Sequence, residues 1–246
     1  MTQSTAAVMT SGNDGLGVSR TRYTRVAMVL HWAIATFIIF NLCTGLFMDD
    51  WPMSIRFTVV MLHASSGLTV LALTVARVLW RLLNPPPPYP AGMKRWEGQT
   101  AHVAHFLLYA AMVLMPLTGW AILSAHSPPG SPGEVAAMAA RPPMPPGIKP
   151  ESGPPGPNAK WPVGKTQIMM FWNLVPLPVI APIEAIGEEP GGAAPQHILH
   201  EEFAKWHSIG AYLLIALLLL HIAGALKHQF IDREPELARM GVGRRR

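Results

Sequence analysis

The stretch KWHSIGAYLLIALLLLHIAGALKHQFID, residues 205–232, decides the fold. From Trp206 to Leu226 it has no Asp, Glu, Lys or Arg. A run of about 20 such residues crosses roughly 30 Å of hydrocarbon as a helix. Inside the run stand His207 and His221, 14 residues apart. In an α-helix that spacing is about 21 Å and about 40° short of four full turns, so both project from nearly the same side. An ionisable side chain inside a bilayer is costly and is a functional candidate by default.

Three more stretches of the same kind lie upstream: Val26–Phe47, Phe57–Ala76 and Thr100–Leu123. Backbone in lipid must satisfy its own hydrogen bonds, so each is expected to be a helix. Pro116, inside the third, is expected to kink that helix rather than end it. The expected fold class is all-α, an integral membrane four-helix bundle with a long Pro-rich outer loop between helices 3 and 4. Composition agrees: half of the 246 residues are hydrophobic and 13% are charged, against about a quarter charged in soluble domains. The single cysteine, Cys43, excludes an internal disulfide framework, a cysteine zinc site, an iron–sulfur cage and thioether-attached haem.

Charge sets the orientation. Residues 1–25 sum to +2, 48–56 to −1, 77–99 to +3, 124–205 to −2 and 227–246 to +3. The signs alternate, and the positive-inside rule then puts both termini and the second connection in the cytoplasm. The net +5 therefore speaks of loop orientation rather than nucleic-acid binding. The chain divides into a disordered cytoplasmic N-terminus (1–21), helices 1–3 (22–124), a Pro/Gly-rich periplasmic loop (125–200), helix 4 (201–230) and a basic cytoplasmic tail (231–246). Pro85 to Pro88 should form a stiff polyproline connector. Twelve prolines between Pro128 and Pro162 argue against a packed core there. The apolar stretch TQIMMFWNLVPLPVIAPI (166–183) is broken by Pro176, Pro178 and Pro182, and is expected to lie over the bundle as an outer interfacial segment or to collapse on itself.

The histidines fall at two depths. His31 lies five residues into the first span from the inner side, and His221 five from the inner end of the fourth. His63 and His207 enter from the outer side. Small residues stand a turn away from each: Ala35, Gly67, Gly210 with Ala211, and Gly224 with Ala225. Such positions let a flat macrocycle approach a helix, and bundles hold cofactors by side chains on facing helices. The arrangement points to two haem b groups, one between His31 and His221, the other between His63 and His207. Imidazole suits iron, and two axial ligands make an electron-transfer site. The competing explanation is hydrogen bonding of these histidines between helices. His102 and His105 share a face at the start of the third span, as a quinone or proton site or as a wet interfacial pair. Arg77 and Arg81 suit haem propionates, lipid phosphate or simple snorkelling.

RYTRVAMVLHW (22–32), MLHASSGL (61–68), AHVAHFLLYAAMVLMPLTGW (101–120), residues 205–232 and the closing RM-G-R element within RMGVGR (239–244) together resemble the bacterial cytochrome b561 family, dihaem membrane proteins that include superoxide oxidase. The resemblance implies haem ligation by His31, His63, His207 and His221 and electron exchange with ubiquinone in a bacterial inner membrane. In the superoxide oxidase branch it also implies oxidation of periplasmic superoxide. Arg56, Lys165 and Lys205 could form a local basic mouth that draws in an anion. The alternatives are an electron-carrier subunit serving a dehydrogenase, a hydrogenase or a periplasmic redox protein, and a haem-free bundle with structural histidines.

Overall fold

The structure is a computed structural model describing residues 22–89, 92–128, 130–139, 170–234 and 236–242. The expectations for residues 1–21, for most of the proline-rich stretch and for Lys165 fall outside these. In chain order the helices are α1 (Arg25–Leu46), α2 (Met53–Leu83), α3 (Arg95–Ser124) and α4 (Pro132–Ala139), then α5 (Ala181–Glu184), α6 (Ala193–Phe230) and α7 (Glu236–Arg239). A two-stranded hairpin, β1 (Met170–Phe171) and β2 (Val175–Pro176), precedes α5.

Four helices, α1, α2, α3 and α6, are long and apolar enough to cross a membrane. Each of the four charge-free runs falls within one of them, apart from Phe47, which caps α1. They run alternately up and down, tied by polar contacts at the end that carries both described termini. There Thr24 caps α1 by accepting from the Ala27 N–H (3.2 Å) and also accepts from the Trp80 indole of α2 (2.8 Å). Arg77 of α2 donates to the Tyr109 hydroxyl of α3 (3.0 Å) and to the Ala27 carbonyl of α1 (2.9 Å). Lys227 of α6 meets Glu97 of α3 (2.7 Å). Midway between the ends the four helices close on a dry cluster of Ile34, Ile38, Val70, Leu108, Met112 and Leu214. Outward-facing apolar side chains such as Leu79, Phe106 and Leu219 stay exposed, as lipid contact requires. α3 runs unbroken through Pro116, which is buried.

Two features differ from the sequence expectation. First, the fourth long helix begins at Ala193, not near residue 201. Its 38 residues make it about 57 Å long, about 20 Å of it before Trp206. Pro195 stands in the first turn, where its missing N–H breaks no helical bond. The buried Gln196 amide donates to the carbonyls of Ile183 and Glu184 (both 3.2 Å) and accepts from Ser127 (2.9 Å), which joins the extension to the outer loop.

Second, the apolar segment does not merely lie over the bundle. At the tip of the β1–β2 hairpin the Trp172 backbone N–H donates to Ser65 Oγ and its indole N–H to Thr69 Oγ1, both at 3.0 Å. Its ring centroid is 6.3 Å from that of Phe37. Phe37 stands nine residues before the end of α1, about 14 Å down the helix, so the tip reaches membrane depth. Non-helical backbone is tolerated there only when protein satisfies its polar groups, which Ser65 does. Trp172 (φ 50°) and Asn173 (φ 59°) form the left-handed turn. That conformation is strained for a bulky side chain and persists only where the surroundings hold it. The segment then returns outward, its Pro178 carbonyl accepting from the Trp120 indole (2.7 Å).

The basic tail, whose packing the sequence reading did not address, is held over its described length. The Ala238 carbonyl accepts from Arg22 Nε (3.1 Å) and the Met240 carbonyl from the Trp32 indole (3.0 Å). The Arg239 guanidinium donates to the Pro88 carbonyl (2.7 Å) of the irregular proline connector. The Asp232 carboxyl, which anchors the start of the tail, is held below the usual carboxylate range by the hydrogen bond from Lys227. A depressed carboxylate stabilises above its unfolded-state pKa and loses that contribution as pH falls through the folded value. Acidification below about pH 4 should therefore loosen this tail, seen as faster hydrogen exchange at residues 236–242.

Candidate functional site

Two pairs of histidines from different helices face each other. His31 of α1 and His221 of α6 have ring centroids 6.2 Å apart and planes inclined at 68°. His63 of α2 and His207 of α6 are 6.2 Å apart and inclined at 67°. Imidazole nitrogen binds a metal at about 2 Å with the ring centre about 1 Å further back, so two opposed ligands of one metal have centroids about 6 Å apart. Edge contacts between aromatic rings cover the same range, so distance alone does not decide between ligands and packed rings.

The hydrogen bonds at the loop end of the bundle indicate which ring nitrogen carries the proton. The Thr44 hydroxyl lies 2.9 Å from the Phe40 carbonyl and 3.0 Å from His63 Nδ1. A hydroxyl has one proton. Spent on the helix carbonyl, it leaves Thr44 an acceptor toward the ring, so Nδ1 carries the imidazole proton and Nε2 keeps a free lone pair. Thr118 repeats this: its hydroxyl donates to the Met115 carbonyl (2.9 Å) and lies 2.9 Å from His207 Nδ1. An N–H held by an outer partner, with the other nitrogen bare, is the usual state of a metal-binding histidine.

Both threonines are followed by glycine. A Cβ on Gly45 would stand 3.0 Å from His63 Cε1, and one on Gly119 3.4 Å from His207 Cε1. The dipeptide Thr-Gly thus occurs twice, each time bonding one imidazole and clearing its edge. We expect Gly45→Ala to displace the His63 ring and weaken cofactor retention at this pair. Gly119→Ala should do so less, measured as haem content per chain and as the width of the reduced absorption band.

Among the described residues no group of three or more His, Cys, Asp or Glu is placed to hold a metal ion. Each pair offers two ligands, which suits an iron whose other positions are filled by a macrocycle. The small residues expected to clear a macrocycle divide. A Cβ on Gly210 would meet Met115 of α3, so this glycine serves helix packing; one on Gly67 would make only ordinary contact with Asn41 of α1, and Gly224 faces open space.

At the termini end a third histidine joins the pair. The His105 ring lies 5.2 Å from that of His221, and its Nδ1 is 2.6 Å from the Ala101 carbonyl. His102 turns away, with Nδ1 2.8 Å from the Gly98 carbonyl and its ring 5.3 Å from Tyr89. Both line one half-open cavity of about 460 Å³ with Arg81, Pro85, Phe106 and Tyr109. Of the steering candidates, Arg56 Nε donates to the Trp51 carbonyl (3.3 Å). Lys205 lies 3.5 Å from Glu202 and over the Trp206 ring, so its charge is partly offset.

Sequence reading missed Thr44 and Thr118, although the repeated Thr-Gly dipeptide was visible. It also missed the full period of α6. His200, His207, His221 and His228 fall on one seven-residue repeat whose remaining place holds the core residue Leu214, and each step is about 20° short of two turns. His200 continues the face outward, its ring 4.9 Å from that of His126. Burial, with the neighbouring His200, lowers the pKa of His126. His228 Nδ1 closes the termini end at 2.7 Å from Asp232.

Comparison with known proteins adds a lineage. The family model for prokaryotic cytochrome b561 matches residues 22–243. A Yersinia pestis protein named probable superoxide oxidase CybB is 28% identical over 102 residues, 42% of this chain and 58% of that one. Cytochrome b561 homolog 2 of Escherichia coli K12 is 25% identical over 228 residues, 89% of this chain and 90% of that protein.

Proposed function

The chain belongs to the prokaryotic cytochrome b561 family, and from that membership we propose that it passes electrons through two b haems across a bacterial inner membrane, oxidising superoxide on the periplasmic side and reducing ubiquinone on the other. The observation that carries this is the pair of opposed imidazoles at each depth, with the tautomer at His63 and His207 set by threonine. Haem, when bound, would supply a one-electron iron couple, and the imidazoles of the two pairs are the residues that would hold it.

The residues divide the work. His31 with His221, and His63 with His207, would hold the two groups, while Thr44 and Thr118 would orient the outer pair. The apolar cluster around Leu214 separates the two levels and keeps water out. Arg56 and Lys205 would lend positive charge at the periplasmic mouth, with Lys165 a further candidate from its place in the sequence alone, and this favours approach of an anion. The cavity beside His105 is large enough for a quinone ring, with His102, His105 and Tyr109 as groups that can supply or relay protons. The reaction balances with two superoxide anions giving two electrons and leaving as two oxygen molecules. One quinone takes those electrons with two protons to become the quinol. The orientation follows from the alternating loop charges, with both termini in the cytoplasm.

A second possibility is an electron-carrier subunit for a dehydrogenase, a hydrogenase or a periplasmic redox protein. The extension of α6 beyond Trp206, with α4 and α5 packed beside it, favours this because it builds an ordered outer platform. A reduced-minus-oxidised spectrum with a pyridine haemochrome count, followed by addition of superoxide and then of a ubiquinone analogue, separates the two. Two b haems that reduce rapidly with superoxide and reoxidise with the quinone support the enzyme. Two haems indifferent to superoxide support the carrier, and a colourless protein overturns both.

A further inference from the structure

The two histidine pairs differ in what stands behind them. At the outer pair both imidazoles meet a threonine hydroxyl already committed to its own helix: Thr44 behind His63 and Thr118 behind His207. At the inner pair, among the described residues, neither His31 nor His221 has a hydrogen-bond partner on a ring nitrogen; what stands near is aromatic or positively charged. The Arg77 guanidinium donates to the Tyr109 hydroxyl and to the Ala27 carbonyl one turn before His31, which brings a positive charge to the level of this pair.

These surroundings act on a bound iron in opposite directions. An acceptor on Nδ1–H pulls electron density onto the imidazole and makes Nε2 a stronger donor, which favours the oxidised, more positive iron. A cation close to the ligands without a hydrogen-bonded acceptor favours the reduced, less positive iron by simple Coulomb interaction. Both differences point the same way along the membrane normal. Taking the haem ligation proposed above as given, we propose that Thr44 and Thr118, set against Arg77, grade the two sites so that the His63–His207 site is the more reducing. This fixes inward electron flow in the protein rather than in its substrates. Such a gradient favours transfer of one electron from the outer group, which is oxidised, to the inner group, which is reduced, with no bond made or broken. The threonines act through the histidines and are positioning residues.

The test is a spectroelectrochemical titration of the purified, haem-loaded protein, with Thr44→Val, Thr118→Val and the double variant beside it. Valine keeps the shape and deletes the acceptor. Each substitution should raise the midpoint of one haem only, by on the order of tenfold in the oxidised-to-reduced ratio at fixed ambient potential, which is 59 mV for one electron. The other haem should not move, and the haem that moves should be the lower of the two in the unmodified protein. Arg77→Gln should lower the other haem, while Arg77→Lys, which keeps the charge, should not. Where a valine variant loses its haem, Thr44→Ser and Thr118→Ser, which keep the hydroxyl, must hold both the haem and its potential; a serine variant whose midpoint shifts overturns the proposal. Both haems retained with unmoved midpoints in the valine variants also overturn it, as does an outer haem of higher potential than the inner. Failure of the unmodified protein to bind two haems overturns the ligation instead, so the two failures are distinct.

Discussion

His207→Ala is expected to yield a protein with one haem in place of two, and His221→Ala a protein that has lost the other one. Each variant deletes one of two opposed imidazoles in a pair whose rings stand 6.2 Å apart. Alanine offers no replacement, and a single remaining axial ligand holds iron weakly. The pairs are separated along α6 by 14 residues, about 21 Å, with the cluster around Leu214 between them, so damage at one level should not reach the other. The pyridine haemochrome count should fall to half in each variant. The lost absorption components should differ, and those of the two variants should sum to the unmodified spectrum. Loss of the same component from both would sink the pairing. The His221→Ala variant includes its own control. His105 lies 5.2 Å from His221, so partial retention in His221→Ala that vanishes in His105→Ala/His221→Ala would mean that His105 steps in as ligand.

The second large effect is expected at Trp172. Its ring packs against Phe37, and its indole bonds Thr69, at a depth where water cannot fill the gap it would leave. Trp172→Ala removes that packing and the indole hydrogen bond to Thr69. A loss of about 2–4 kcal/mol follows for a half-buried indole with one membrane hydrogen bond. In detergent the variant should unfold at a clearly lower temperature, followed by loss of haem absorbance. Trp172→Phe, which keeps the ring and loses only the donor, should retain most of the stability. If both variants behave alike, the hydrogen bond to Thr69 rather than the packing holds the hairpin in the bundle.

The helices and the four facing histidines were open to view in the chain, because both depend on distance along one axis. A charge-free run of about 20 residues has to be a helix in lipid, and residues 14 apart on a helix share a side whatever surrounds them. The hairpin was not legible. Pro176 and Pro178 showed that residues 166–183 could not form a straight span, but where that segment goes depends on Ser65 and Thr69, more than 90 positions upstream. Nothing local to Trp172 records that two hydroxyls on α2 wait for its N–H groups. The early start of α6 was hidden for a related reason: residues 193–205 are too polar to read as a span, and their helix is completed by Gln196 reaching the Ile183 and Glu184 carbonyls.

What the sequence by itself determined is the number of spans, the two depths of the histidines and the alternation of loop charge, all properties of order and spacing. What only the tertiary structure decided is which atoms stand behind the histidines. Whether Thr44 bonds His63, and Thr118 bonds His207, depends on how α1 is turned against α2 and α3 against α6. That rotation is set by packing across the whole length of each helix, so no short pattern in the chain carries it.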